Sequence, residues 1–363
     1  MKAGIVGLPN VGKSTLFNCL SNAKAQSANF PFCTIEPNIG VVNVPDERLE
    51  KLEELVNPER VVPATVEIVD IAGLVRGASK GEGLGNQFLA NIRETDAIIH
   101  VLRCFDNDNI IHVDTTIDPI RDKETIDIEL QLKDLETVEK RLERVKRTAK
   151  TGNKDAQAEL VVLLKIHETL LEGKSVRTLD FSEKEMEFVQ PMQLITTKPV
   201  LYVCNVDENS AVSGNDYVTK VKEAVKDEAA EIIILAVGTE ADINELEDYE
   251  ERQMFLTDIG LEEPGSSKLI RAAYKLLNLQ TYFTAGVKEV RAWTINIGDT
   301  APQAAGVIHT DFEKGFIRAE VIKYNDYVTL GSESKVKEAG KLSVEGKEYV
   351  VQDGDMMNFR FNV

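Results

Sequence analysis

A phosphate-binding loop is predicted close to the start of the chain. Residues 7–14 read GLPNVGKS and match the spacing GxxxxGK[ST], between a short apolar run and a stretch with helical periodicity. Backbone N–H groups at the start of such a helix cradle phosphate oxygens, a lysine neutralises the outer phosphates, and a hydroxyl binds Mg²⁺. We therefore expect Lys13 to stabilise charge during phosphoryl transfer and Ser14 to bind the metal. The residues expected to contact the nucleotide here are Asn10, Val11, Gly12, Lys13, Ser14 and Thr15.

A second segment has the residue types of a metal- and phosphate-binding turn. Residues 70–73 read DIAG and follow the strand-like run 65–69. The carboxylate of Asp70 is expected to reach Mg²⁺ through a water molecule, and the N–H of Gly73 to meet the terminal phosphate. Thr34 is expected to complete the metal shell, the alternative being an ordinary loop threonine.

The group that activates the attacking water must come from outside these motifs. Leu74 stands where many small GTPases carry a glutamine that orients the water, and a leucine cannot do this. His112, in a loop after a strand-like run, is our candidate, the alternative being a surface or packing histidine. Asn10 could instead bring a monovalent cation such as K⁺ to the phosphates. The glycine-rich residues 77–85 are expected to be a switch ordered by the terminal phosphate, or else a flexible surface loop.

The base-recognition motif is altered. Residues 205–208 read NVDE where GTP-selective domains carry Asn-Lys-x-Asp. In that motif the Asp accepts hydrogen bonds from N1–H and the 2-amino group of guanine, and adenine has neither donor. Val206 gives an apolar wall in place of the Lys, Glu208 is one methylene longer than Asp, and Asn205 is expected to tie loops together. Losing such a paired interaction costs roughly 1–3 kcal/mol, so we expect ATP to be preferred and GTP to bind more weakly.

The elements that position these residues are predicted to form a doubly wound α/β domain. Short apolar runs recur, each followed by a turn signal or polar loop, and several lead into helical periodicity. Ligands of such mostly parallel sheets bind at the carboxyl ends of the strands, where every motif above falls. The strand-like runs are 3–6, 65–69, 97–102, 200–204 and 232–235.

A helical hairpin is predicted between the third and fourth of these strands. Two apolar stripes with helical spacing are separated by residues 151–153, which read TGN, so a coiled-coil-like antiparallel pair is expected. Residues 133–150, close to its tip, contain seven basic and four acidic residues. This cluster predicts contact with RNA, or else the mixed charge of a solvated coiled coil. The stripes comprise Ile128, Leu132, Leu135, Val138, Leu142 and Val145, then Leu160, Leu163, Leu164, His167, Leu170 and Leu171.

A third, smaller domain is predicted at the carboxyl end. Composition shifts there to short strand-like runs punctuated by Gly and Asp, which favours a mostly antiparallel α+β module able to bind RNA or protein. The runs are 289–297, 316–321, 327–330 and 348–351. The predicted domains are a nucleotide-binding domain at 1–120 and 196–277, a hairpin insertion at 121–195, and the module at 278–363.

Composition bounds the class of protein. The four cysteines are far apart and form no CxxC pair, so a zinc site or disulfide framework is not expected. No apolar run approaches the ~20 residues of a membrane helix, and the first residues leave no room for a signal segment. A cytoplasmic protein with neither membrane nor DNA partners is predicted. The net charge of −19 opposes nucleic-acid binding on average, but the local +3 of residues 133–150 keeps an RNA partner open.

The wording of several segments resembles a known family. Residues 70–79 read DIAGLVRGAS and resemble the switch II signature of the Obg superfamily. Together with residues 81–89, GEGLGNQFL, and 29–38, NFPFCTIEPN, they are similar to the YchF branch, the Obg-like ATPases. The resemblance covers essentially the whole chain and implies a TGS domain, a ubiquitin-like β-grasp module, at the carboxyl end. It also implies a ribosome-associated ATPase that prefers ATP to GTP.

Three functions follow as hypotheses. The first is a P-loop NTPase that hydrolyses ATP with Mg²⁺ and couples nucleotide state to binding of the ribosome or its RNA. The second is an Obg-type switch specific for GTP. The third is an RNA- or ribosome-binding protein that uses the nucleotide mainly as a structural ligand. Relative affinity for ATP and GTP separates the first two, and dependence of ribosome binding on nucleotide separates the third.

Overall fold

The chain forms two compact units. The computed structural model describes residues 1–22, 39–71, 84–110, 116–228, 230–246 and 248–362. The first unit comprises Met1–Gly40 and Glu67–Leu269, and the second comprises Val41–Val66 and Ile270–Val363. Among the described ranges, no helix is both long and apolar enough to cross a membrane.

Strands and helices alternate through the first part of the chain. The strands are β1 (Lys2–Val6), β2 (Ile39–Asn43), β3 (Val61–Val62), β4 (Thr65–Asp70), β5 (Ala97–Arg103), β6 (Val200–Asn205), β7 (Glu231–Leu235), β8 (Leu279–Ala285), β9 (Val290–Asn296), β10 (Phe316–Lys323), β11 (Leu342–Glu345) and β12 (Asp355–Phe361). The helices are α1 (Lys13–Asn22), α2 (Glu47–Val56), α3 (Leu84–Arg93), α4 (Pro119–Ala149), α5 (Lys154–Leu171), α6 (Glu183–Val189), α7 (Asp216–Ala224), α8 (Val237–Glu245), α9 (Tyr249–Asp258), α10 (Gly265–Leu276), α11 (Ala301–Ile308), α12 (Thr310–Lys314), α13 (Tyr324–Leu330) and α14 (Glu333–Glu338).

A six-stranded sheet in the order β2-β4-β1-β5-β6-β7 carries the predicted nucleotide motifs. β1 pairs in parallel with β4 and β5, β5 with β6, and β6 with β7. β5 and β6 are buried along their whole length, which explains their continuous apolar runs. Because these strands are parallel, the segments that follow β1, β4, β5, β6 and β7 meet at one edge of the sheet. The predicted parallel α/β domain is confirmed.

The predicted helical hairpin is formed by α4 and α5. Asp118 caps α4 by accepting hydrogen bonds from the N–H groups of Ile120 and Arg121. Asn153 caps α5 in the same way through the N–H of Ala156, and Gly152 takes a left-handed φ of +86° between the helices. The turn TGN therefore breaks the helix because it supplies both a left-handed residue and the next N-cap.

The apolar stripes are only partly correct. Val138, Leu142 and Val145 are buried as expected, but Ile128 and Leu132 are 51% and 38% exposed, and Leu164 and Leu171 are also exposed. The first half of α4 buries Ile126 and Leu130 instead, together with polar side chains that bond outside α5. Its carboxylate Asp134, for example, accepts hydrogen bonds from Ile195 N–H and from both the N–H and the hydroxyl of Thr196. In the first half of α4, the spacing of apolar residues therefore predicted the wrong buried face, because this part of the helix also packs against groups outside α5.

The second unit is built on a mostly antiparallel sheet in the order β11-β10-β12-β8-β9-β3. β8 pairs with β9, and β10 with β11 and β12, in antiparallel fashion, whereas β12 with β8 and β3 with β9 are parallel. Its core residues are Tyr282, Ile295, Ala301, Ala304, Ala305, Phe316, Ala319, Val321, Val351, Met357 and Phe359. The predicted C-terminal α+β architecture is confirmed.

Two predicted strands of this unit are wrong. Residues 327–330 lie in α13, which ends where Gly331 adopts φ +79° and donates its N–H to the carbonyl of Tyr327. Residues 348–351 contain only an isolated bridge between Val350 and Thr300. Aromatic and β-branched residues favour strands in isolation, but a glycine C-cap and tertiary packing override that preference here.

Residues 41–66 group with the second unit, although the sequence suggested that they continue the nucleotide-binding domain. The Arg48 guanidinium lies 2.7 Å from an Asp353 carboxylate oxygen, and Arg60 pairs with Glu289. β3 adds to the sheet beside β9. Both α2 and β3 therefore complete a module whose other elements come from the last third of the chain.

Candidate functional site

The loop after β1 requires glycine at two positions. A Cβ on Gly7 would lie 2.6 Å from the carbonyl oxygen of Val101, and one on Gly12 would lie 2.5 Å from Asn205 Nδ2. Gly12 also has φ +100°, and Asn10 takes a left-handed φ of +63°. This close packing holds the loop tightly over the strand ends and directs its chain into α1, as a phosphate cradle requires.

Lys13 lies folded against this loop. Its Nζ donates a hydrogen bond of 2.8 Å to the carbonyl oxygen of Leu8, and the residue is only 7% exposed. Burial lowers the pKa of Lys13 to about 8, and the nearby Asp70 carboxylate acts in the opposite direction. Among the described residues the Leu8 carbonyl is the hydrogen-bond partner of this ammonium, so a phosphate oxygen could supply a charged partner in direct contact.

Ser14 and Asp70, both predicted to bind Mg²⁺, lie close together. The Ser14 hydroxyl lies 3.4 Å from an oxygen of Asp70, which ends β4 and pairs with Ile5 of β1. The other carboxylate oxygen of Asp70 is buried and has no hydrogen-bond partner among the residues that the structure describes. Burial raises the pKa of Asp70, against the opposing effect of the Lys13 charge. A hydroxyl and an unsatisfied carboxylate oxygen at one point fit a hard divalent cation such as Mg²⁺.

Asn205 ties three loops together. Its Nδ2 donates to the carbonyl of Val11 at 2.9 Å, and its Oδ1 accepts the N–H of Val237 at 3.0 Å, so the end of β6 is bonded both to the phosphate loop and to the start of α8. The side chain is buried, with 4% exposed. Both of its polar ends are therefore committed to the protein, which fits the structural role expected of it.

The three residues that follow Asn205 have different surroundings. The side chain of Val206 is only 3% exposed and its N–H donates to the carbonyl of Leu235, so Val206 is mainly a core residue and its contact with a base stays a prediction. Asp207 caps the short 3-10 turn 208–210 through the N–H of Ser210. Glu208 is exposed at the start of that turn. Within the described part of the chain, Glu208 is thus the acidic group of the motif that remains available to a ligand.

Five of the sequence-based expectations lie wholly or largely outside the described residues, among them the glycine-rich switch predicted at 77–85, of which 77–83 are not described. Thr34 falls in the range 23–38, Gly73 and Leu74 in 72–83, and His112 in 111–115. Their roles in binding the metal, the terminal phosphate or the attacking water stay predictions.

Arg103 is a residue that sequence reasoning missed. Its guanidinium is buried and donates to the backbone carbonyls of Phe105, Asn107 and Ile110. Three carbonyls held by one planar group fix the course of the loop that leads toward His112. An arginine at the end of a mostly apolar strand, directly before a polar loop, was the signal available in the sequence.

A polar cluster connects the root of α4 to the sheet and was also missed. Lys123 lies 2.7 Å from Asp127 and 2.6 Å from Glu228, whose carboxylate also accepts a hydrogen bond from the Tyr202 hydroxyl. His100, on β5, lies beside the Tyr202 ring with 5.5 Å between ring centroids. Burial and the positive charge of Lys123 lower the pKa of His100 to about 3, so this imidazole is neutral.

Comparison with known proteins gives a consistent result over the full length. A family model described as a 50S ribosome-binding GTPase matches residues 2–134. The model of the YchF GTPase C-terminal domain, whose description is a protein of unknown function, matches residues 279–362. The chain is 58% identical over 362 residues to the ribosome-binding ATPase YchF of Haemophilus ducreyi, covering 100% of this chain and 99% of that protein. It is 55% identical over 365 residues to the protein of that name from Bacillus subtilis, covering all of both chains.

A solved structure shows the same architecture. The Schizosaccharomyces pombe YchF GTPase matches with a TM-score of 0.91 and 40% sequence identity, over 99% of this chain and 97% of that chain. This solved structure therefore shares the fold over the full length, and the relatives are described as both ATPases and a GTPase.

Proposed function

The chain belongs to the YchF family, and on that premise we propose that it is a ribosome-binding ATPase that hydrolyses ATP in preference to GTP. The observation that supports hydrolysis is the convergence of Lys13, Ser14 and Asp70 at the strand ends. The altered residues 205–208 support the preference for adenine. A cytoplasmic location is part of the same proposal, because a protein that binds ribosomes would meet them there.

The reaction would be phosphoryl transfer to water. The N–H groups of the phosphate loop and the start of α1 hold the phosphates, and Lys13 neutralises charge on the outer oxygens as its contact with the Leu8 carbonyl is exchanged for a phosphate. Ser14 and Asp70, with Thr34 as a predicted third ligand, would hold Mg²⁺, which supplies further positive charge to the transferred group. His112 remains our candidate for orienting the water.

Selection of the base is assigned mainly to Glu208. Asn205 bonds to Val11 through Nδ2 and to Val237 through Oδ1, so its amide is held in place by the protein and base selection is not assigned to it. The carboxylate of Glu208 is exposed, and its extra methylene displaces it from the position that suits N1–H and the 2-amino group of guanine. A mismatch of this kind costs roughly 1–3 kcal/mol, which corresponds to about one or two decades in relative affinity.

Paired titration with ATP and GTP tests the proposal. Wild-type protein should bind ATP at least several-fold more tightly and hydrolyse it, and Lys13→Ala should abolish turnover. Glu208→Asp should shift preference toward GTP. This single change is cleaner than adding Val206→Lys, because position 206 is buried and a lysine there would place an unpaired charge in the core. Equal or GTP-favouring affinities in the wild type would establish the GTPase alternative.

The end of the hairpin is the proposed RNA contact. Farther from the tip along α4, Lys133 and Lys140 both pair with the carboxylate of Glu136. Arg144 and Arg147 are exposed and make no side-chain ion pair with the described residues. Unpaired cations on a projecting element are suited to phosphate groups, because binding releases condensed counterions.

Ribosome binding at several salt concentrations tests this contact. The double change Arg144→Gln and Arg147→Gln should weaken binding and reduce the dependence on salt by about one to two units of slope. The matched change Lys133→Gln and Lys140→Gln removes the same charge from the same helix, but from lysines that share the carboxylate of Glu136, so its effect should be smaller. Equal effects of both pairs would show that only overall charge matters. Binding independent of nucleotide and of Lys13→Ala would favour the structural-ligand alternative.

Potassium dependence is proposed from Asn10. This residue lies inside the phosphate loop with a left-handed φ of +63°, and its side-chain amide oxygen is a ligand type that a monovalent cation accepts. Hydrolysis should be faster in K⁺ than in Na⁺ at equal ionic strength, and Asn10→Ala should remove the difference. Equal rates in the two salts would exclude the cation.

A further inference from the structure

Two neighbouring strands of the second unit separate from each other. β12 and β8 are parallel neighbours, but their register contains a single residue pair, Met356 with Phe283. Beyond that pair both strands continue on their outer sides: β8 stays paired with β9 as far as Ala285, and β12 stays paired with β10 as far as Phe361. The sheet therefore splits between two well-ordered strands rather than ending there.

The split is a cavity of about 560 Å³. Its walls include residues 284–289 on one side and 356–359 on the other. Successive residues of a strand direct their N–H and C=O groups to opposite edges, so alternate residues of both strands present these groups to the opening. Backbone groups at an unpaired edge are a template for another extended chain. The geometry thus provides two strand edges that face each other with room between them.

The two faces of the sheet offer different surroundings to such a chain. On one face the Tyr282 hydroxyl bonds to the carbonyl of Ala304, and the cavity wall there contains the apolar side chains of Ile308 and Phe312. On the other face Phe283 lies beside Tyr324 of α13, with 6.3 Å between ring centroids. Because side chains of a strand alternate between faces, an inserted chain would present every second residue to each.

Charge is concentrated on the second face. Glu320 lies between the core residues Ala319 and Val321 of β10, so it points away from the core. Glu320, Glu333 and Glu289 line the cavity together with one basic residue, Lys288. Glu289 is paired with Arg60 and Glu320 with Arg360, whereas Glu333 has no ion pair within the described ranges. Glu333 is therefore the carboxylate of this wall that can attract a basic side chain, with Glu320 beside it as a hydrogen-bond acceptor.

We propose that the split between β8 and β12 binds an extended peptide segment of a partner protein in which apolar and basic residues alternate. The peptide's backbone would pair with the two strand edges. Its apolar side chains would pack toward Ile308 and Phe312, and its basic side chains would lie near Glu320 and Glu333. Nucleic acid is disfavoured in this cavity, because the Glu333 carboxylate would face its phosphates and the arginines that pair with Glu289 and Glu320 do not line the cavity. The binding needs no nucleotide and is independent of the proposed hydrolysis.

The test uses a fluorescein-labelled nine-residue peptide of alternating valine and lysine with the full-length protein, first without nucleotide. Fluorescence anisotropy should show saturable binding. Two peptides serve as controls, one with glutamate in place of each lysine and one with a central proline, which lacks the N–H that pairing needs. Amide hydrogen exchange should slow in residues 284–286 and 357–361 when the lysine peptide binds.

Two variants and a matched control locate the site. Ala285→Trp fills the cavity from β8 and should weaken peptide binding about tenfold or more. Glu333→Gln keeps the shape of the wall and should weaken it by up to about fivefold. Val344→Trp places the same ring on the same sheet, at a residue of β11 that is 58% exposed and does not line the cavity, and should leave binding unchanged.

Several results would overturn the proposal. These are absence of binding, equal binding of the glutamate or proline peptide, and equal loss in Val344→Trp and Ala285→Trp. Protection of the two strands by an oligouridylate in place of the peptide would assign the cavity to nucleic acid. If Ala285→Trp fails to fold, as judged by circular dichroism, the exchange experiment and Glu333→Gln still decide between binding here and elsewhere.

Discussion

Asn205→Ala should weaken ATP and GTP binding by the same factor. The reason is that both polar atoms of the Asn205 side chain bond to the protein. Nδ2 donates to the carbonyl of Val11 at 2.9 Å, and Oδ1 accepts from the N–H of Val237 at 3.0 Å. Alanine removes both bonds at a position that is 4% exposed, so water has poor access to replace them. The phosphate loop is loosened, and that loop serves either nucleotide equally.

The magnitude follows from the two groups that are left unpaired. An unsatisfied buried donor or acceptor costs about 1–3 kcal/mol, so unfolding should become easier by roughly 2–6 kcal/mol for two such groups. Only the Val11 carbonyl lies in the phosphate loop, and its share would reduce nucleotide affinity by about 5- to 150-fold. Asn205→Asp retains the acceptor for Val237 but turns an oxygen toward the Val11 carbonyl, so its affinity loss should be at least as large.

Titration of fluorescent ATP and GTP analogues with wild type and both variants, alongside urea unfolding, checks this reasoning. Similar losses for both nucleotides, with lowered stability, support the structural tie. A loss for ATP that exceeds the loss for GTP by more than about threefold would show that Asn205 reads the base. Unchanged affinity for both nucleotides would refute the tie itself.

Three further predictions concern residues around the site. Because burial lowers the pKa of His100 to about 3 from 6.5, its contribution to stability is complete above pH 6.5 and is lost as the pH falls toward 3. Over the roughly 1.5 pH units from 6.5 to 5 this loss of stability is about 2 kcal/mol. Urea unfolding at pH 7 and pH 5 should show the loss in the wild type and not in His100→Phe. An equal loss in the variant would contradict the low pKa of His100. Arg103→Lys cannot hold three carbonyls, so single-turnover hydrolysis should slow about tenfold or more while the Kd for ATP stays within about twofold; an unchanged rate would exclude a positioning role. Asp134→Ala leaves the donors of Ile195 and Thr196 unpaired and should lower the free energy of unfolding by about 3 kcal/mol or more, with a smaller loss for Asp134→Asn; equal losses in urea would contradict the hydrogen-bond account.

Local patterns predicted what depends on local chemistry. The phosphate loop, the Ser14–Asp70 pair and the hairpin turn were all readable, because each rests on fixed spacing or on a backbone conformation that few residues adopt. The parallel sheet was readable as well, since strands buried on both faces are continuous apolar runs. In each case the neighbours that matter lie within a few residues or follow from the fold class.

Long-range partners account for the rest. Ile128 and Leu132 have ideal helical spacing, yet both are exposed to solvent. The first half of α4 buries a different face, on which Asp134 accepts a hydrogen bond from the N–H of Thr196. Nothing in the strand run of β5 shows that Arg103 will bond three carbonyls of the next loop. Likewise, the sequence of residues 41–66 does not show that they belong to the second unit, because the residues that they contact lie far along the chain.

The discontinuous second unit sets an order for folding during synthesis. Arg60 and Glu289 are 229 residues apart in sequence, and Arg48 and Asp353 are 305 apart. At about 5–20 residues per second, α2 and β3 wait roughly ten seconds to a minute before their partners are made. Throughout that time the apolar side chains Leu49 and Leu52 have no completed core to enter. During synthesis, α2 and β3 therefore remain exposed on the nascent chain, where a chaperone at the exit site could bind them. The second unit can fold only after its last strands have left the ribosome.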